Sequence, residues 1–309
     1  MSVTVLGIDT SNYTTSLSVC VDGEITENVK IPLPVANGAV GLRQSDAVFA
    51  HTKNLPLCFD KIKTDLKTVS AVGHSDKPRN AEGSYMPCFL SGGAAAAAVS
   101  KTLGVPEYAF SHQEGHIRAA VYSSNMPLYD EFYAYHLSGG TFELLTVRRD
   151  GLRFKTEIAG GTLDVTAGQM IDRTGVMLGL SFPCGAELEK LALRNSERIT
   201  DVKTSVKDTF CNLSGLQNRN EALYKDGRSP EYIAAYTIET LIVTLEKMTD
   251  AVMKKRELPL LFSGGVASNA VIKEYFKNKY GAYFAEPAFS SDNAAGTALL
   301  TYERYINEK

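Results

Sequence analysis

Apolar positions cluster in short runs near the start of the chain and again near its middle. Val3–Asp9 predicts a buried strand that leads into the polar turn Thr10-Ser11-Asn12-Tyr13-Thr14-Thr15. Ser16–Val21 predicts a second strand, and Asp22-Gly23 a hairpin turn into a third at Glu24–Ile31. The same grammar returns with Phe132–Leu137 as a strand, Ser138-Gly139-Gly140-Thr141 as a polar turn, Phe142–Arg148 as a strand and Asp150-Gly151 as a hairpin turn. Two strand–turn–strand units about half a chain apart predict a duplicated α/β architecture.

Between and after these units the pattern is helical. Asp46–Thr64 has mixed periodicity around Pro56, and Gly92–Thr102 is an alanine-rich helix after the loop Lys77–Pro87. Leu163–Leu178 and Glu187–Arg194 read as helices separated by the loop Gly179–Gly185. Pro230–Lys255 is a long amphipathic helix with proline suited to its first turn. A strand at Leu258–Phe262, a helix at Asn269–Lys279, a strand at Ala282–Ala285 and a helix at Asp292–Tyr305 complete the reading. The boundary falls near Pro127–Asp130, which gives domains 1–128 and 129–309, with the last helix expected to return to the first lobe.

The chain's 309 residues allow two domains of ordinary size, and 44% hydrophobic with 22% charged residues describe a globular protein. A net charge of −3 supplies no global attraction for nucleic acid. Arg148-Arg149 and Lys254-Lys255-Arg256 are the local basic candidates. Cys20, Cys58, Cys88, Cys184 and Cys211 are scattered without CxxC spacing, so neither a disulfide framework nor a cysteine zinc site is expected. No signal peptide and no membrane-length apolar run is read, and the expected compartment is the reducing cytoplasm.

Ser111-His112-Gln113-Glu114-Gly115-His116 sets two imidazoles four residues apart, on one face if the segment is helical. Both could reach one zinc, iron, nickel or copper ion. Ordinary core or surface histidines are the competing explanation. Glu114 does not directly follow the first histidine, so the zinc-peptidase general base is missing. Asp292, at the start of the last helix, reads first as an N-cap and second as a carboxylate third ligand. Asp9-Thr10-Ser11, Ser138-Gly139-Gly140-Thr141 and Ser263-Gly264-Gly265-Val266-Ala267-Ser268-Asn269 are small-residue turns that can bring backbone N–H groups to phosphate. Three together favour a nucleotide held between two lobes, although none is a P-loop or dinucleotide fingerprint. Asp172 could hold a ribose hydroxyl or simply sit on a solvent-facing helix surface. His51, His74 and His136 have no partner at meaningful spacing, and the absence of GxSxG leaves serine hydrolysis unsupported.

Taken together these segments resemble the TsaD/YgjD family, also called Kae/Gcp and once described as O-sialoglycoprotein endopeptidase, of the actin–Hsp70–sugar kinase (ASKHA) fold. The resemblance runs through Gly7–Ser11, His112–His116, Leu137–Gly140, Ala167–Thr174, Leu178–Gly185, Leu213–Leu216, Ser263–Asn269 and Ser291–Asn293. It implies transfer of a threonylcarbamoyl group from its adenylate to N6 of adenosine in tRNA. It also implies one divalent metal, iron or zinc, on His112, His116 and Asp292. Ser138, Gly139 and Gly140 would contact phosphate, flanked by His136 and Leu137. Asp172, Gly185 and Asn269 would hold the nucleoside beside Gly264 and Gly265, with first-turn contacts from Asp9, Thr10 and Ser11. Expected partners are tRNA and family subunits docking on the first lobe, with no membrane. The family's first turn usually reads Thr-Ser-Cys-Asp-Glu-Thr, whereas Tyr13 and Thr14 replace the acidic pair here, and no histidine follows Gly140. The rivals are a non-catalytic paralogue that binds metal and adenine nucleotide, a carbamoyl transferase or ATPase with another acceptor, and last a metallopeptidase.

Overall fold

A computed structural model describes residues 2–11, 13–34 and 42–309; Asn12, in the first polar turn, lies outside the described residues. The chain forms two compact units. Unit 1 comprises Met1–Ser123, Arg149–Lys155 and Ala288–Lys309; unit 2 comprises Ser124–Arg148 and Thr156–Pro287. The first division follows Ser123, and the closing helix belongs to unit 1.

Unit 1 runs β1 (Thr4–Asp9), β2 (Thr14–Val21), β3 (Glu24–Pro32), α1 (Gln44–Phe59), β4 (Val69–Lys77), α2 (Phe89–Leu103), β5 (Glu107–Ser111) and α3 (His112–Ser123). Its sheet order is β3-β2-β1-β4-β5; β2 is antiparallel to β1, while β4 is parallel to β1 and β5 to β4. Period-two alternation divides β1 between two cores. Leu6 and Ile8 pack with Val72 and Ala96, whereas Val5 packs with Ala71, Ala298 and Leu299 of the closing helix. Pro56 falls in the last turn of α1 and the helix stops at Phe59, short of the expected Thr64.

Unit 2 contains β6 (Glu131–Leu137), β7 (Phe142–Asp150), β8 (Arg153–Thr162), α4 (Ala167–Met177), α5 (Gly185–Ala192), β9 (Ser205–Lys207), β10 (Phe210–Asn212), α6 (Ser214–Lys225), α7 (Pro230–Lys255), β11 (Leu260–Ser263), α8 (Ala270–Tyr280) and β12 (Tyr283–Phe284). The short α9 (Pro287–Ser290) and the closing α10 (Ala295–Asn307) follow. Sheet order is β12-β11-β6-β7-β8-β10-β9, with β7 antiparallel to β6, β11 parallel to β6 and β12 to β11. The pairing of β6, β7, β11 and β12 therefore repeats that of β1, β2, β4 and β5, which is the duplication expected from the pattern. One core, from Tyr133 to Phe284, binds the sheet to α4, α7 and α8.

The periodicity did not announce β4, β5, β8 or α6. In β4 the run Gly73-His74-Ser75-Asp76-Lys77 is too polar to read as a buried strand, yet β1 and β5 pair with both its edges. α4 begins at Ala167 instead of Leu163, because Thr166 and Gln169 form a reciprocal capping box there. Three cations of the two basic runs are ion-paired: Arg148 Nε lies 2.8 Å from Glu131, Lys255 Nζ 2.9 Å from Asp208, and Arg256 also pairs with Glu131. No helix among the described residues is long and apolar enough to cross a membrane.

Candidate functional site

In unit 1 the chain leaves β5 and enters α3 at once, so His112 occupies the first helical position. Ser111 and Glu114 hold that start. The Ser111 N–H donates to Glu114 Oε2 at 2.8 Å, and the Glu114 N–H donates to Ser111 Oγ at 3.3 Å, a capping box. Glu114 is 1% exposed, and Arg153 donates to its Oε1 from Nε at 3.0 Å and to its Oε2 from Nη2 at 3.2 Å. Burial alone would raise Glu114, but Arg153 and Ser111 hold it below the usual carboxyl range. Glu114 is therefore a structural anion.

α10 brings the third group. Its contact with α3 is close because Gly296 faces Gly115; a Cβ on Gly296 would lie 1.7 Å from Gly115 O. The preceding segment is pinned as well. Lys30 Nζ donates to Ala288 O at 2.8 Å and to Ser291 Oγ at 3.1 Å, and Asn293 Nδ2 donates to Ser291 O at 2.6 Å. Asp292 is not the N-cap that its position suggested. The helix starts at Ala295, whose N–H donates to Asn293 Oδ1 at 3.0 Å. Asp292 is thus freed to face the imidazoles.

One ligand atom each from His112, His116 and Asp292 lies within 4.8 Å of the others. Asp292 Oδ1 is 3.5 Å from His112 Nε2 and 3.1 Å from His116 Nε2. The two rings meet edge to face, with centroids 4.3 Å apart. Two imidazole nitrogens and a carboxylate are a donor set suited to zinc or ferrous iron, with further positions left for water or substrate. Burial opposes charge on His112 and Asp292, yet Asp292 is held well below the carboxyl range by both histidines. His112 is pushed up to about 10 because the Asp9 and Asp292 carboxylates outweigh its desolvation. Of the first-turn residues, Asp9 accepts from His112 Nδ1 at 2.8 Å, and Thr10 spends its hydroxyl on Cys88 O at 2.9 Å. Ser11 donates its N–H to Asp9 Oδ1 at 2.8 Å.

Unit 2 contains a separate cavity of about 530 Å³. Gly139, Asp172, Gly185, Gly265 and Asn269 line it, five of the expected nucleotide residues. Asn269 caps α8 by accepting the Ile272 N–H at 3.1 Å on Oδ1, which fixes its amide so that Nδ2 remains for a ligand. Asp172 Oδ1 accepts the Cys184 N–H at 2.8 Å, so one face of its carboxylate is spent on the 178–185 loop. The N-terminus of α4 lies against the first glycine turn, with Thr166 Oγ1 donating to Gly139 O at 2.8 Å. That end carries the partial positive charge that favours an anion.

His136, Leu137, Ser138, Gly140 and Gly264 do not line the cavity. His136 Nδ1 is 3.2 Å from Ser263 Oγ, and Leu137 is fully buried in β6. The Ser138 hydroxyl closes its own turn by accepting the Gly140 and Thr141 N–H groups at 3.3 and 3.0 Å. Gly264 has φ +94°, and a Cβ there would be 2.2 Å from Leu137 O, so only glycine lets the second turn approach the first. Phe182 and Glu189 line the cavity although sequence reasoning did not select them. Glu189 Oε1 accepts the Ala270 N–H at 2.7 Å. The signal for it was its place one helical turn after Gly185.

Comparison with known proteins gives a consistent result. Residues 45–299 match the family model TsaD, tRNA N6-adenosine threonylcarbamoyltransferase. The enzyme of that name from Thermus thermophilus is 30% identical over 315 residues, 98% of this chain and 93% of the relative. Its namesake from Thermotoga neapolitana is 27% identical over 315 residues, 97% of this chain and 94% of the relative. Among solved structures, the ADPNP-bound activator of 2-hydroxyisocaproyl-CoA dehydratase from Clostridium difficile covers 100% of this chain and 97% of its own at TM-score 0.55 and 13% identity, a likeness of fold.

Proposed function

The chain belongs to the TsaD family of tRNA N6-adenosine threonylcarbamoyltransferases, and from that premise we propose that it moves a threonylcarbamoyl group from its adenylate to N6 of an adenosine in tRNA. The observation that carries this reading to particular residues is the cluster of His112, His116 and Asp292 within 4.8 Å in a chain that matches the family almost end to end. These three residues would hold one divalent ion, iron or zinc. Bound there, it would act as a Lewis acid that polarises an acyl oxygen.

The remaining chemistry follows from the side chains. Asn269 and Asp172 would hold the nucleoside, while the backbone N–H groups of the glycine turns and the α4 N-terminus would receive phosphate. Glu189 adds an acceptor at the same cavity. In the transfer the bond from the carbamoyl carbon to the phosphate oxygen breaks and a bond from that carbon to N6 forms. AMP leaves with the electron pair and N6 loses a proton. Because AMP is a good leaving group, no protein nucleophile is required, which agrees with a cysteine set that is buried throughout. A tRNA acceptor puts the work in the cytoplasm. Phe49, 72% exposed on α1, and Leu90, 58% exposed on α2, suit an apolar partner-subunit contact.

The reading is tested by AMP release from threonylcarbamoyl-adenylate, measured with and without tRNA and with family partner subunits present. Release that rises with tRNA supports it. Equal release in the absence of RNA would assign a small-molecule acceptor. Adenylate binding without release under any condition would favour the non-catalytic alternative, which the replacement of the acidic pair by Tyr13 and Thr14 specifically motivates.

A further inference from the structure

Asp9 ends β1 and is 1% exposed, a depth at which a carboxylate is costly unless every lone pair is used. Its lone pairs are used. Oδ1 accepts the Ser11 N–H at 2.8 Å and also the Ser11 hydroxyl. Oδ2 accepts the Ser75 hydroxyl at 2.6 Å and Nδ1 of His112 at 2.8 Å. The partners come from the carboxyl ends of β1 and β4 and from the first residue of α3, so three segments converge on one anion. Ser75 is 1% exposed, and its hydroxyl also lies 3.3 Å from Thr297 Oγ1 on α10, the helix that follows Asp292.

We propose that Asp9 is a positioning residue for the metal site, holding the Nδ1 hydrogen of His112 so that the Nε2 lone pair is aimed at His116 and Asp292. A neutral imidazole has two tautomers, and only the one with hydrogen on Nδ1 offers Nε2 as a ligand. A carboxylate that accepts from Nδ1 selects that tautomer, fixes the ring plane and raises the basicity of the coordinating nitrogen. The Ser11 and Ser75 donors keep the carboxylate itself from turning. The proposal rests on the metal reading of His112, His116 and Asp292. It adds a residue whose carboxylate bonds go to Ser11, Ser75 and His112.

The test uses the full chain with Zn²⁺ as probe, its affinity measured by competition with a chromophoric chelator. Visible absorption of the Co²⁺-loaded protein reports ligand geometry. Asp9→Asn should weaken Zn²⁺ binding by roughly 10–100-fold and alter the Co²⁺ spectrum. In a His112→Ala background Asp9→Asn should cause no further loss, because its effect passes through that ring. Should Asp9→Asn fail to fold, Ser75→Ala removes one donor from the same carboxylate and should weaken Zn²⁺ by a few-fold. Unchanged affinity in a folded Asp9→Asn or Ser75→Ala protein would overturn the proposal, as would a full additional loss in the His112→Ala background. Wild-type Zn²⁺ binding that is insensitive to His116→Ala would instead refute the metal reading, and the positioning role with it.

Discussion

Arg153→Ala removes the counter-ion of a carboxylate that cannot reach water. Glu114 is 2% exposed in its side chain, whereas Arg153 is 43% exposed in its own. Breaking a fully buried pair costs about 3–5 kcal/mol. Two features reduce that figure here. The Ser111 N–H and hydroxyl still donate to Glu114 Oε2, each at 2.8 Å, and the exposed guanidinium can be partly replaced by water. A loss of about 2 kcal/mol is the expected result. It should be local, because Glu114 closes the capping box of α3. Amide hydrogen exchange of peptides spanning 107–123 measures it, and protection there should fall by about 30-fold, the factor equivalent to 2 kcal/mol. Peptides from α7, in the other unit, should not change. Adding Glu114→Gln to Arg153→Ala should recover part of the loss by removing the uncompensated charge. Arg153→Ala within 0.5 kcal/mol of wild type, or a loss that Glu114→Gln deepens, would refute the assignment of Glu114 as an anion held by this arginine.

Gly296→Ala places a methyl where the α3 backbone already sits, 1.7 Å from Gly115 O, so α10 must shift; a cost of about 1–3 kcal/mol and weaker Zn²⁺ binding through displaced Asp292 are expected, by urea unfolding and chelator competition. All five cysteines are buried, and burial pushes Cys20 and Cys211 up to about 12 and Cys58 up to about 11, so a thiol reagent at pH 8 should label none in the native protein and all five in denaturant. Asp164 is set against burial by donors from Ser214, Leu213 and Val165, which bring its pKa down to about 2. A depressed carboxyl adds stability above its unfolded pKa and loses it as pH falls through the folded one. Wild type should therefore lose more stability than Asp164→Asn between pH 4 and 2, measured by thermal unfolding across that range.

The antiparallel hairpins at the start of each unit were legible because alternating residues and Asp-Gly turns are local signals. β4 was not, since its burial depends on pairing at both edges and on α10, which arrives more than two hundred residues later in sequence. The pair His112 and His116 was readable from spacing, but Asp292 was ambiguous on residues alone. What separates ligand from cap is that the helix begins at Ala295, with Ala294 at the cap position and Asn293 Oδ1 accepting the Ala295 N–H, so Asp292 lies outside the helix start. Arg153 could not be found by pattern at all. It pairs with Glu114 across 39 residues and lies on the β7–β8 tip that joins unit 1. Phe182 was missed because its place in the cavity wall depends on how the 178–185 loop folds, whereas Glu189, on α5, could be found only from its helical spacing to Gly185.

The measurement that bears most directly on the central claim is transfer of a labelled threonylcarbamoyl group from its adenylate to tRNA, read by digesting the tRNA to nucleosides. Metal-loaded protein is compared with His116→Ala, with partner subunits supplied to both and a family enzyme as positive control. Label on N6 of adenosine, lost in His116→Ala, is the predicted result. No label with this chain, while the control enzyme transfers it, would contradict the account.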